Sequence, residues 1–532
     1  MLQAAAVIGH DFSEPVLREV TGIAEGDLME ALAALAAAEM VFERTLYPEA
    51  QYSFKHPLTE EVAYKAQLGE RRCRTHAAVA RALEMLYADR LDEQAGVLSH
   101  HWERAGERIP AAKWGARAAA WAGQSHPADA LRHWRRVREL LGGEEDPETA
   151  GLALGACIWI LQFGWRLGVD DREVADVSRQ ALALAEGSES DWAMGAVLGA
   201  HGLCRGMVGN VREALASSEA AVRYADRAGD INLRLSVGSG YWLTVIGRAR
   251  DALADLEWNI EKAAGDMEAG REILGFSASI WATLFRSMPL SDLGRLGEAR
   301  DALEEGIRLA ELHNDPESLG WAHSTLAGLS LLVGEPGDGL EHARKGLEIA
   351  GRLGSSISHV IGYNTLASAQ LVREEWDDAA ASIEEELRVI HESRTGLQYE
   401  SWALATLSVA ELARGDHEAA RVAADESVRV AAKQGVVLQE AAARRQRGRT
   451  LAAERPSEAR AELEHALELC EKDGPGLVPG IRLAMAELAE AHGREAARDR
   501  QLAEALRLFE EQGATGHARR VREMLDGAPV RA

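Results

Sequence analysis

The residues able to bind metals, anions or substrates occur in a few short clusters. His100-His101 stands beside Glu103, and His126 and His133 lie seven positions apart. Imidazole with carboxylate is a metal-ligand set. Adjacent residues on a helix, however, point about a hundred degrees apart, so His100 and His101 cannot chelate as an i, i+4 pair does. A packed helix end is the simpler reading, and His126 and His133 lack a third ligand nearby. Two basic runs, Arg132, Arg135, Arg136, Arg138 and Arg444, Arg445, Arg447, Arg449, could meet a phosphate or an acidic peptide. Both also fit solvated faces paired with neighbouring glutamates, and Glu384-Glu385-Glu386 reads as surface. No G-x-S-x-G, H-E-x-x-H or Ser/Cys nucleophile pattern occurs.

The elements that position these residues are repeated. Small residues recur at Ala214, Ala252, Ala302, Gly339, Ala379, Ala420, Ala459 and Ala497, with spacings of 38, 50, 37, 40, 41, 39 and 38. Each is expected to start a helix, and the positions four and eight residues further on are small or apolar in nearly every copy. Positions 0, +4 and +8 share a helix face, so this stripe is expected to pack inward. A small anchor lets two helices cross closely. Gly209, Gly247, Gly297, Gly334 and Gly415 suit left-handed caps in the preceding turns. Self-similarity at this period means stacked helical hairpins of the tetratricopeptide kind, an all-α solenoid with a long concave surface.

Large residues fall in the first helix of each unit: Trp192, Trp242, Trp281, Trp321, Tyr363 and Trp402. They could form an aromatic ligand cage, but filling the space between two helices is the simpler role. The long gap between Ala252 and Ala302 places about ten extra residues near Asp266–Arg271 or Met288-Pro289-Leu290, a loop on one face of the solenoid.

Bulk properties narrow the partners. With 532 residues the chain exceeds one core, and with only 5% aromatics it has a mostly helical composition. A net charge of −26 repels phosphate backbones and anionic membrane surfaces, so neither nucleic acid nor membrane is expected as a partner. Cys73, Cys157, Cys204 and Cys470 lie far apart and read as buried free thiols. The start, MLQAAAVIGHDF, has no basic n-region, and no stretch of eighteen uninterrupted apolar residues occurs. A soluble, cytoplasmic protein is expected.

Residues 1–70 do not follow the repeat. Leu2–Gly9 reads as a short helix, Ser13 as the cap of a second through Val20, and Asp27–Glu39 as a third. Val41 to Leu46 and Tyr52 to Lys55 read as two strands around a turn containing Pro48. Helices are expected at 58–68, 74–88, 91–104, 110–123 and 127–141, and again from Val169 to Glu186. Three helices followed by a hairpin is the order of a winged-helix domain. From Thr21 to Val41 there is no Lys or Arg, while Glu25, Asp27, Glu30 and Glu39 are acidic. A DNA recognition helix needs cations, so a protein-protein or interdomain role is expected instead.

The run LQAAAVIGHDFSEPVLREVTG, then FERTLYPEAQYSFKHPLTEEVAY, RRCRTHAAVARALEMLY and DEQAGVLSHHWERAG, resembles bacterial signal-transduction ATPases of the AAA/STAND type. In these an AAA-like P-loop domain is followed by a winged helix and tetratricopeptide-like repeats. The resemblance points in particular to the subgroup carrying a class III adenylate or guanylate cyclase domain. An ending like LAEALRLFEEQGATGHARRVREML also fits that group. The similarity is specific over residues 1–105 and generic over the repeats.

The resemblance implies a division into a winged helix at 1–70, a helical connector with a first repeat-like hairpin at 71–141, a repeat superhelix at 142–527 and a tail at 528–532. It further implies a protein or small effector on the repeat surface and an ATPase or cyclase domain as partner. In the family, the histidine of the F-x-H motif approaches nucleotide phosphates. The matching residue is His56, in Phe54-Lys55-His56, and its imidazole would donate to a phosphate only if a nucleotide domain docked against it. Without that domain, His56 is expected to cap the hairpin or the following helix. No G-x-x-x-x-G-K-[ST] loop occurs, so no cofactor is expected in this chain and ATP would belong to the domain it lacks. The chain reads as the non-catalytic regulatory half of such a protein. A stand-alone scaffold remains an alternative, as does the sensory region of an ATPase-type transcriptional activator. No basic helix-turn-helix follows the repeats before Arg531-Ala532.

Overall fold

The computed structural model describes residues 1–45, 49–123, 126–142 and 147–526. Leu46, the expected turn at Pro48 and the 528–532 tail lie outside these residues. The chain divides into two compact units, Met1–Ile160 and Leu161–Ala532.

The first unit opens with α1 (Leu2–Ile8), β1 (Asp11–Ser13), α2 (Glu14–Thr21), α3 (Glu25–Ala37), β2 (Val41–Thr45), β3 (Gln51–Phe54) and α4 (Pro57–Lys65). The sheet is antiparallel in the order β1-β3-β2. The sequence pattern did not reveal β1, because three residues are too few to display a period of two. Ser13 does stand at the head of α2, but its hydroxyl makes no cap bond and instead pairs with the Tyr87 hydroxyl at 3.2 Å. Phe12, Leu17, Leu28, Leu32, Val41 and Phe54 form one core. Four helices follow: α5 (Gly69–Leu86), α6 (Leu91–Ala105), α7 (Arg108–Ala122) and α8 (Pro127–Leu141). Next comes α9 (Pro147–Leu167), whose stretch from Thr149 to Leu167 is the one helix among the described residues long and apolar enough to cross a membrane. That stretch is 67% buried, as a core helix is.

The second unit is a tetratricopeptide-like α-solenoid. The anchor-bearing helices begin at Val211, Ala249, Leu296, Gly339, Trp376, His417, Pro456 and Glu495, so the small anchor stands mostly at the fourth helical position rather than the first. Gly339 instead opens its helix, with Ala343, Gly346 and Ala350 buried behind it, and two further anchors are out of register with the buried stripe. In Leu296–Leu312 the fourth residue is Ala299, not Ala302, and in Glu495–Gln512 it is Arg498, not Ala497. The buried stripe therefore runs at 0, +4, +7 and +11. It is Ala214, Ser218, Ala221, Ala225 in one helix and Ala420, Ala424, Ser427, Ala431 in another, all buried. The +8 residues Val222, Ile260, Leu347, Leu387, Val428 and Leu467 are only half-buried. At 3.6 residues per turn, +7 returns closer to the anchor's face than +8 does.

The same register explains the glycines. Gly209, Gly247, Gly334 and Gly415 take positive φ as expected, but Gly297 is helical and Gly294 is the left-handed residue before that helix. The insertion lies at 264–277, around the short helix Arg271–Leu274, while Met288-Pro289-Leu290 is part of the helix Ser287–Asp292. Two first helices are broken: Ile231–Ser236 and Gly240–Val245 flank an unwound turn, and Ala278–Phe285 meets Ser287–Asp292 at Arg286. At the first break, Asp255 accepts the Gly240 N–H at 2.7 Å, satisfying a helix start that no local side chain caps.

Successive turns of this unit close on one another. Thr395 Oγ1 donates to the Trp165 carbonyl at 2.6 Å and Ser356 Oγ to that of Leu167 at 3.1 Å. Further along, the Arg250 N–H donates to Asp473 Oδ1 at 3.2 Å, the Gly476 N–H to the Asp292 carbonyl at 2.7 Å, and His517 Nε2 meets the Leu331 carbonyl at 2.8 Å.

Candidate functional site

His56 occupies the N-cap position of α4 in extended backbone geometry, ahead of Pro57. Its carbonyl accepts the Thr59 N–H at 2.9 Å, while its imidazole is exposed and makes no cap bond. The preceding Phe54 is buried in the core, and Lys55 pairs with Glu39 at 2.9 Å. The three residues of the motif thus have separate environments: a core anchor, an ion pair and a free ring.

The histidine pair is structural. His101 is buried and its Nδ1 lies 2.9 Å from Nδ1 of His76, whose Nε2 meets the Tyr64 hydroxyl at 3.0 Å. A short contact between two ring nitrogens requires one to donate and the other to accept, so both cannot carry a proton there. Burial holds His76 down at about 4 and His101 at about 3. His126 is exposed and His133 half-buried. Among the described residues no group of three His, Cys, Asp or Glu could hold a metal ion.

The arginine runs are paired. Arg136 bonds Glu103, Arg132 bonds Asp129, Arg444 and Arg447 share Glu462, and Arg449 reaches Glu487. Arg445 is the exception in its run: burial lowers its pKa to about 10. Glu386 departs from the surface reading of its run. It stands at +7 from Ala379, is 0% exposed, and its oxygens accept only Asn364 Nδ2, at 3.0 and 3.3 Å. Burial raises its carboxyl well above the usual range. The cysteines are free; Cys157, Cys204 and Cys470 are buried and Cys73 partly so. Burial pushes the thiols of Cys204 and Cys470 up to about 12, which keeps them inert.

The aromatic residues divide. Trp192 and Trp402 are 38% and 39% exposed, and Tyr363 lies away from the others. Trp242, Trp281 and Trp321 converge, together with Trp165, Tyr241, Phe276, Phe285 and Tyr399, on one cavity inside the second unit. The rings form a continuous series of tilted contacts: Trp165 to Trp321 at 6.2 Å, Trp321 to Phe285 at 5.9 Å, Phe285 to Trp281 at 4.9 Å and Trp281 to Tyr241 at 6.0 Å. The Trp321–Phe285 pair, with ring planes 65° apart, has the edge-to-face geometry that aromatic pairs favour. The wall also includes the unwound turn after Ser236, so the break in that helix faces the cavity. The cavity has a volume of about 50 Å³. That is several times what one water needs.

The polar groups around this cavity come from distant segments. Tyr241 and Tyr399 bring their hydroxyl oxygens to 2.7 Å, and Gln398 Nε2 donates to Tyr241 Oη at 3.1 Å. Burial raises both phenols, Tyr241 to about 12, so they remain neutral. Behind Trp165 the guanidinium of Arg166 lies 4.4 Å from the ring centroid. Trp321 Nε1 donates to Ser358 Oγ at 3.0 Å and Trp165 Nε1 to Gln162 at 3.1 Å, which satisfies both indole N–H groups. Sequence reasoning missed Trp165, Phe276, Gln398 and Tyr399, because none falls at a recurring repeat position. Asn259 and Glu386 stand at +7, and a correct register would have marked them as polar residues in an apolar stripe.

No protein-family model matches the chain, and no curated protein matches it. Solved structures similar to it include the APC/C hetero-tetramer Cut9-Hcn1, at 13% identity and a TM-score of 0.48, with 95% of this chain and 91% of that one covered. A Rap protein complexed with competence and sporulation factor matches at 12% identity and 0.38, over 82% and 98%. A Signal Transduction ATPase with Numerous Domains from Pyrococcus horikoshii, with a tetratricopeptide repeat sensor, matches at 13% and 0.37. It aligns over 90% of this chain and 63% of its own.

Proposed function

We propose that this chain is the non-catalytic sensor and interaction region of a bacterial signal-transduction ATPase or nucleotide cyclase. An effector, protein or small molecule, binds the repeats. The observation that carries this reading is the pairing, in one chain, of a solenoid built around an aromatic cavity with a small N-terminal module of distinctive order. Helix, strand, helix, helix, strand, strand, with a β1-β3-β2 sheet, is the order of a winged helix. The exposed ring of His56 supports its assignment as a nucleotide-state sensor when a nucleotide domain is docked. The acidic α3, without a Lys or Arg, supports a protein rather than a DNA partner for this module.

Signalling in such an arrangement requires the effector to bind one of two conformations more tightly; equal affinity for both would shift nothing. Immunoblotting of source-cell lysate with an antibody against the repeats tests the reading. A band well above 57.6 kDa is expected. A single band near that mass would favour the stand-alone scaffold.

A further inference from the structure

Resting on the reading of the repeats as a sensor, we infer that the effector is a small, neutral, planar molecule bearing an oxygen acceptor, held in the cavity between Trp165, Met207, Tyr241, Trp281, Trp321 and Tyr399. Four observations lead there.

The walls set the shape. Ring faces and edges dominate the lining, and apolar walls with a few placed polar groups are what small-molecule sites present. An extended peptide is a poor fit, since Thr395 and Ser356 tie the next turn to the Trp165–Leu167 segment beside the cavity. Trp281 and Tyr399 are half-buried wall residues. Their movement would admit one or two fused rings.

The charges set neutrality. Arg166, stacked on Trp165 and on Phe276 at 5.1 Å, disfavours a cation on those rings, and its own charge is met by Glu317 at 2.9 Å. Of the other acids near the wall, Asp255 is engaged by the Gly240 N–H at 2.7 Å and by Arg234 at 3.5 Å, Asp315 by the N–H groups of Ser277 and Ser318, and Glu386 has its ionised form disfavoured by burial. Neither an ammonium nor a carboxylate would find a counter-charge here.

The hydroxyl count sets the acceptor. Tyr241 and Tyr399 own two hydroxyl hydrogens, and their mutual bond uses one. The bond from Gln398 supplies its own hydrogen, so one phenolic hydrogen remains unspent at the cavity wall. A carbonyl or ether oxygen on a ligand would accept it.

Unpartnered amides border the same space. Gln398 is 0% exposed and its Oε1 has no partner, although its Nε2 contacts both Tyr241 and Met207 of the wall. Asn259, 1% exposed, has neither amide atom bonded and lies against Gly238, whose backbone lines the cavity at the helix break. Buried amides without partners are costly, and a ligand or a rearranged turn at Gly238 would give them partners.

Equilibrium dialysis of the full chain against coumarin and naphthalene tests this. The two share a two-ring shape, and only coumarin carries an acceptor. Coumarin is expected to bind at one site, more tightly than naphthalene. The double variant Tyr241→Phe/Tyr399→Phe should weaken coumarin about tenfold and naphthalene by no more than about twofold. Ile361→Trp, which fills the cavity from its wall, should abolish binding of both. No coumarin binding, equal affinity for the two compounds in the unmodified chain, or binding that survives Ile361→Trp would overturn the proposal. That comparison of compounds needs no variant to fold. A failure here alongside a high-mass immunoblot band removes this ligand class and leaves the sensor reading standing, whereas a 57.6 kDa band removes the sensor reading whatever coumarin does.

Discussion

Arg166 and Glu317, 151 residues apart in sequence, face each other with Nε 2.9 Å from Oε1 and 3.0 Å from Oε2, and neither side chain reaches solvent. The remaining guanidinium nitrogens donate to the carbonyls of Gln162 and Leu274. One arginine thus joins the end of α9, the insertion at 264–277 and the helix that starts at Pro316. It also backs the aromatic wall of the cavity through Trp165.

Removing one partner of this pair strands a buried charge. Glu317→Ala should destabilise the second unit by about 3–5 kcal/mol, and replacing both with apolar residues should cost less than either single change. Urea unfolding of the two single variants and the double variant checks this. A double variant as unstable as the sum of the singles would contradict it.

Glu386 gives the second unit a pH dependence of definite sign. Its folded pKa lies above its unfolded value because burial disfavours the carboxylate and Asn364 only partly offsets that. The folded state therefore binds the extra proton, and stability falls as pH rises from the unfolded pKa through the folded one. Glu386→Gln should melt higher than the unmodified chain at pH 8, with the difference vanishing near pH 4. Equal melting temperatures at pH 8 would show that the carboxyl is solvated.

The seams can be tested with a single methyl group. A Cβ on Gly476 would stand 2.1 Å from the Ser291 carbonyl oxygen, and the Gly476 N–H is bonded to the neighbouring Asp292 carbonyl. Gly476→Ala should lower stability by about 1–3 kcal/mol through overpacking against backbone. Gly351→Ala, in the helix Gly339–Leu353 with nothing near its Cβ position, should instead stabilise by about 0.5–1 kcal/mol. Thermal melts of the two variants distinguish a closed seam from an open one.

The repeat was legible because helix packing demands small residues at fixed spacing, and Ala214, Ala252, Ala379, Ala420 and Ala459 all stand at 0% exposure. Register was less legible. Ala302 and Ala299 lie on overlapping faces of the same helix, and both are buried, so composition alone could not decide between them. Reading the stripe at +8 rather than +7 hid Glu386 and Asn259, which stand at +7 from Ala379 and Ala252. The cavity was least legible. Trp242, Trp281 and Trp321 recur with the repeat, but Trp165, Gln398 and Tyr399 reach them only because the solenoid's turns close, which no local pattern records. At the N-terminus, element order was readable from turn residues and alternation, and β1 was not, since it owes its existence to pairing with β3.

If the repeats regulate a nucleotide-using domain through the N-terminal module, nucleotide turnover must answer to His56. The most direct measurement is ATP turnover by the protein purified natively from its source cells, with and without His56→Ala introduced at the native locus. Turnover is expected in the unmodified preparation, with an altered rate in the variant at unchanged protein level. A preparation without turnover, or one whose turnover ignores His56, would contradict it.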